Sequence, residues 1–155
     1  RTIKEPSIRD LEDIGLRVLV GMLVSGDDGS SGFKYRMPAD KYRQIYIHSK
    51  LLIVDDAFVT LGSANLNQRS MAVDSEINLA TDDPLQARAL RKEVWGLHTG
   101  GEFDGADGAP ARIEDAFDKW QDLMAANDSK KKAGTALVGF LCTLRDSKYS
   151  YVRYA

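Results

Sequence analysis

Between His48 and Asn67 the chain reads HSKLLIVDDAFVTLGSANLN, which sets His48, Lys50, Asp55, Gly62, Ser63 and Asn65 in the spacing H-x-K-x4-D-x6-G-S-x-N. An imidazole, a fixed cation and a glycine turn rich in small polar groups are what attack on a phosphate diester requires. Such a diester resists hydrolysis because its anionic oxygens repel a nucleophile and its alkoxide is a poor leaving group. Lys50 supplies a permanent charge, and Ser63 and Asn65 supply neutral donors on the turn. These three are the candidate phosphate-binding residues, placed to hold non-bridging oxygens as charge shifts in the transition state. The set calls for no metal and no cofactor.

His48 is the candidate catalytic imidazole. A free imidazole titrates at about 6.5, so it can serve near neutrality either as nucleophile or as general acid/base. A carboxylate ordinarily decides which ring nitrogen is presented. Glu76 is the preferred orienting residue, being expected on the next strand; Asp55, at a strand end, is the competing partner and equally a turn residue. In-line displacement puts nucleophile and leaving group on opposite sides of phosphorus, so one imidazole cannot perform both steps. The other histidine, His98, sits at an expected helix end without a lysine partner and reads as a capping or solvated side chain.

The elements that must position these residues follow from periodicity and punctuation. Residues 8–14 suit a short helix ended by Gly15, and the apolar run 16–24 suits a buried strand. Residues 26–32 (GDDGSSG) read as loop, and 33–43 as a basic, aromatic-bearing connection. A strand over 44–54 would point His48 and Lys50 to the same face. Asp55-Asp56 then turns into a second strand at 58–61, and a third is expected near 76–80. Pro84 opens a helix to about His98, closed by Gly100-Gly101. A second helix over about 111–126 has Ile113, Phe117, Trp120 and Met124 on one face, and the lysines at 130–132 break its pattern. One more strand is expected within 135–144.

A chain of 155 residues, 43% of them hydrophobic and 28% charged, has the length and composition of one globular domain. Its net charge of -2 gives no global attraction to nucleic acid or anionic lipid, so phosphate affinity must be local. Cys142 is the single cysteine, which excludes an internal disulfide. The apolar runs 18–24 and 136–141 are shorter than the roughly 20 residues a membrane span needs. Asp104, Asp107 and Asp115 lack the ligand ladder of a calcium loop, and Lys130-Lys131-Lys132 falls below the charge cluster that reads lipid. The chain begins at Arg1, and a piece of a longer protein is expected.

The residues from His48 to Asn65 resemble the HKD motif of the phospholipase D superfamily. The continuation Asn67-Gln68-Arg69-Ser70-Met71, then Asp74-Ser75-Glu76-Ile77, is similar to bacterial members, as is LRKEVWGLHTG at 90–100. The resemblance implies an α/β fold, a mixed sheet flanked by helices, here an incomplete C-terminal catalytic lobe over 1–128 with a tail at 129–155. It implies a phosphohistidine route in which one motif's histidine attacks phosphorus and another's protonates the leaving alcohol. On that pattern His48 is catalytic, Lys50, Ser63 and Asn65 bind phosphate, and Glu76 orients His48. Since one motif is present, a complementary HKD-bearing half, from the same precursor or another chain, is the implied partner. The implied substrate is a glycerophospholipid at a membrane surface, with phosphatidate as product. Phosphatidyl transfer of the cardiolipin synthase kind, a nuclease-type phosphodiesterase and an inactive regulatory half are the alternatives, nucleic acid being the less favoured substrate. A soluble protein, secreted or peripherally bound to membrane, is expected.

Overall fold

The computed structural model describes residues 8–25 and 42–144. The expected loop at 26–32, most of the basic connection at 33–43 and the chain beyond Leu144 lie outside these residues. The elements are α1 (Ile8–Asp13), β1 (Gly21–Ser25), β2 (Arg43–Gln44), β3 (Lys50–Val54), β4 (Phe58–Gly62), α2 (Gln68–Ala72), β5 (Asn78–Thr81), α3 (Pro84–Thr99), α4 (Pro110–Ala133) and β6 (Leu141–Thr143). The class is α/β, as the sequence implies. Among the described residues the strands form two three-stranded antiparallel sheets, β2-β1-β6 and β3-β4-β5, where one mixed sheet was expected.

The first sheet holds the main core. Val24, Tyr42, Leu137 and Cys142 are buried together, with Met22 packed against them. Helix α4 lies over this sheet and buries Ala116, Leu123, Met124 and Asn127. Asn127 is fully enclosed: its amide donates to the carbonyls of Val138 and Leu141 at 2.9 and 2.8 Å, and its oxygen accepts the Val138 N–H at 3.0 Å. That side chain fixes the approach to β6. Helix α4 runs to Ala133, longer than expected, and its last turn carries Lys130, Lys131 and Lys132. Lysines there complement the partial negative charge of a helix C-terminus and so continue the helix rather than break it. The division expected at 128/129 falls inside α4, and β6 pairs with β1.

Two expected strands change shape. The strand over 16–24 is confined to 21–25, because the segment before it engages α4: Arg17 pairs with Asp118 and lies 4.3 Å over the Phe117 ring. The strand over 44–54 divides between the sheets. Ile45 N–H donates to the Leu23 carbonyl at 2.8 Å, extending the first sheet, while β3 begins only at Lys50, paired with Gly62. Past Gly62 the opposing chain turns away at Ser63, so His48 and Ser49 have no ladder partner.

Helix α3 matches its sequence signals. The Asp83 carboxylate accepts the Leu85 N–H at 2.9 Å, Pro84 occupies the first turn, and Gly100 closes the helix with φ 75°.

Candidate active site

The β3–β4 hairpin positions the motif. Asp55 and Asp56 both adopt φ 52°, a left-handed conformation that aspartate tolerates better than most residues, and Ala57 N–H returns to the Val54 carbonyl at 2.9 Å. The resulting register sets Lys50 opposite Gly62 and leads the chain directly into Ser63-Ala64-Asn65. The cation and the polar turn therefore share one end of the sheet. Lys50 folds back, its Nζ donating to the His48 carbonyl at 2.5 Å.

Gly62 is required by crowding. A Cβ there would lie 2.2 Å from Asn78 Oδ1 and 2.3 Å from the Ile77 carbonyl oxygen. Beyond it, Ser63 N–H donates to the Ile77 carbonyl at 3.0 Å, and Ala64 N–H donates to Asn78 Oδ1 at 3.1 Å. The turn is thus laid onto the start of β5. Asn65 donates to Ser70 Oγ at 3.4 Å, and Asn67 caps α2 by accepting the Ser70 N–H at 2.8 Å.

Glu76 lies just before β5, not on it. Its Oε2 accepts the Ser63 hydroxyl at 2.5 Å, while Ser63 Oγ accepts the Ile77 N–H at 3.1 Å. Hydrogen bonds from Ser63 and then Ser70, with the charges of Lys50 and Arg69, hold Glu76 below the usual carboxylate range. The carboxylate thus belongs to the Lys50–Ser63 end of the site. Its hydrogen-bond partner is the serine, not the His48 ring. His48 itself is exposed on the segment ahead of β3, with its ring stacked on Tyr46 at 6.1 Å between centroids.

Asp55 is separated from this end by the full length of β3, roughly 17 Å at about 3.3 Å per residue, so it cannot orient His48. It serves the turn. The neighbouring aspartate, which the motif spacing passes over, carries the stronger interaction: Asp56 Oδ1 and Oδ2 accept Arg91 Nε and Nη2 at 2.6 and 2.7 Å. The Arg91 hydrogen bond above all, with the Arg91 and Arg88 charges, holds Asp56 below the usual range against the opposing effect of burial. The sequence signal for this pair is an arginine in register with Ala87 on the buried stripe of α3, where a charge needs a partner.

A groove of about 1160 Å³ runs between the hairpin and the two long helices, lined among others by Ser49, Leu51, Asp55, Trp95, His98 and Ile113. Lys50, Ser63, Asn65 and Glu76 are not in its wall. His98, expected to be solvated, is half-buried there, and its Nδ1 is enclosed without a hydrogen-bond partner. Burial pushes its pKa down. The three aspartates weighed for calcium have local tasks: Asp104 and Asp107 accept the N–H groups of Ala106 and Ala109, and Asp115 pairs with Lys119.

The family model described as phospholipase D matches residues 26–111. Phospholipase D alpha 4 of Arabidopsis thaliana is 43% identical over 70 residues, covering 41% of this chain and 9% of its own length. Phospholipase D alpha 1 of Zea mays is 36% identical over 101 residues, covering 54% of this chain and 12% of its own. Phospholipase D alpha 1 of Nicotiana tabacum is 47% identical over 68 residues, covering 36% and 8%. These relatives are plant proteins, where the sequence after the motif led to an expectation of bacterial ones. The chain spans roughly a tenth of the length of such relatives. No solved structure matches it.

Proposed function

The chain belongs to the phospholipase D family, and on that premise we propose that it supplies one HKD half of a phosphatidate-forming phosphodiesterase acting on glycerophospholipid headgroups. The observation that carries this reading is the pairing of Lys50 with Gly62, which gathers a cation, the Ser63–Asn65 turn and an ionised Glu76 at one sheet end. Lys50, Ser63 and Asn65 bind the phosphate oxygens. One imidazole, from His48 or from the complementary half, attacks phosphorus as the bond to the headgroup oxygen breaks. The other imidazole gives that oxygen its proton. Water then attacks the phosphohistidine, releasing phosphatidate and restoring the free ring. For Glu76 to orient His48 in that cycle, it exchanges its Ser63 contact for the imidazole while Ser63 turns to phosphate.

The test is product analysis on the full-length protein with phosphatidylcholine vesicles, with and without ethanol, and with single-stranded DNA. Phosphatidate from lipid, lost by several orders of magnitude in His48→Ala, supports the reading. Phosphatidylethanol as the dominant product favours transfer, and cleavage of DNA alone makes the protein a nuclease. Full activity in His48→Ala makes this segment a regulatory half.

A further inference from the structure

Among the described residues, the side-chain hydrogen bonds and ion pairs from the β3–β4 hairpin to helix α3 converge on Asp56. Its partner Arg91 is buried and donates four hydrogen bonds. Besides the carboxylate fork it donates to the backbone carbonyls of Asp104 and Ala106 and lies 5.3 Å from the Trp95 ring. One guanidinium therefore joins the hairpin turn, α3 and the 104–108 loop. The loop is shaped around it: a Cβ at Gly105 would lie 2.6 Å from Arg91 Nη1, and one at Gly108 would lie 2.3 Å from Asp56 Oδ2. Asp56 and Arg91 sit at the far end of β3 from Lys50, roughly 17 Å away at about 3.3 Å per residue, too far to meet a phosphate held by Lys50. β3 and β4 lie with β5 in one three-stranded sheet, so the pair ties the turn end of that sheet to α3. Anchoring its turn fixes where the opposite end is presented.

We propose that Asp56 and Arg91 are a positioning pair for the phosphodiester reaction, clamping the hairpin so that Lys50 and the Gly62–Asn65 turn meet the phosphate in a fixed place. The proposal rests on the phospholipase D reading of the site. A bidentate pair defines both distance and orientation, which a single ammonium contact does not.

The test uses the full-length protein and phosphatidylcholine vesicles, below the melting temperature of each variant. Asp56→Glu and Arg91→Lys each lower kcat at least tenfold while KM stays within about twofold, since binding contacts remain and alignment is lost. The length-compensated double variant, Asp56→Glu with Arg91→Lys, recovers kcat above either single variant. Single variants with wild-type kcat, or a double variant falling as the product of the two, overturn the proposal. Hydrogen exchange keeps the clamp testable if the wild type turns over no lipid, an outcome that sinks the functional reading alone. Arg91→Lys is then expected to speed exchange at 54–58 and 104–109 together, with β1 and β6 unchanged, and the double variant to reverse part of it. Unaltered exchange overturns the clamp.

Discussion

Arg91 and Asp56 meet through two parallel hydrogen bonds, Nε to Oδ1 and Nη2 to Oδ2, with side chains that are only 4% and 11% exposed. The pair spans 35 residues of sequence and joins the motif hairpin to the helical layer. A charge pair so enclosed is held by geometry, because each member gives up water and is compensated chiefly by the other, with the Asp104 and Ala106 carbonyls on Arg91 and Arg88 beside Asp56.

Arg91→Met is therefore expected to destabilise the fold by about 3 kcal/mol, the range for breaking one side of a buried pair. Asp56 keeps only the half-exposed Arg88 at 3.5 Å as a charged partner, and the carbonyls of Asp104 and Ala106 lose a donor. The measurement is urea unfolding of the wild type and the variant. Replacing both partners, as Asp56→Leu with Arg91→Met, is expected to recover part of that loss, since no uncompensated charge remains. A double variant less stable than Arg91→Met would contradict this account.

Gly62→Ala should distort the Ser63–Asn65 turn. Its new methyl meets Asn78 Oδ1 and the Ile77 carbonyl at distances no relaxed contact allows, so either β5 shifts or the Ser63–Ala64 backbone loses its two anchors. A loss of about 2 kcal/mol in stability is expected, typical of overpacking. Asn78→Ala removes the nearer obstacle and is expected to soften the penalty when combined with Gly62→Ala. Thermal unfolding of the three variants measures the coupling.

Much of this arrangement was legible because its signals are local. Asp83-Pro84 and Gly100 bracket α3, the two aspartates mark the hairpin turn, and the H-x-K to G-S-x-N spacing brings Lys50 to the Ser63–Asn65 turn. What was not legible depends on partners distant in sequence. The break before Lys50 comes from Leu23 claiming one end of the expected strand and Gly62 the other. Which of two adjacent aspartates turns inward is settled by Arg91, on another element. Glu76 was expected to face His48, yet Ser63 lies nearer in the folded chain.

Asn127 offers a check on the α4–β6 junction. Asn127→Leu keeps the size of the side chain but leaves the Val138 N–H and the carbonyls of Val138 and Leu141 without their partner in a fully buried place. Each unsatisfied group costs about 1–3 kcal/mol, so the total is expected to exceed that of a typical core substitution. Hydrogen exchange should quicken at 138–143, and urea unfolding should shift to lower concentration. An apolar substitution without penalty would show that these bonds are dispensable.

Acid should weaken the fold in two separable stages. Burial lowers the His98 pKa, so the folded state favours the neutral ring while the unfolded chain takes up a proton first, near 6.5. Its penalty is thus absent above that value and grows as pH falls toward the lower, folded value. Asp56 and Glu76 are shifted downward by hydrogen bonds to Arg91 and to Ser63, so the stability they contribute is present above about pH 4 and is lost as pH drops through their folded values. Melting temperatures measured from pH 7.5 to 5 should therefore decline in the wild type and decline less in His98→Leu. Below pH 4 both proteins should fall steeply, and Asp56→Asn should fall less steeply than either. Equal slopes for wild type and His98→Leu between pH 7.5 and 5 would mean that the enclosed Nδ1 accepts a proton in the folded state as readily as in the unfolded one.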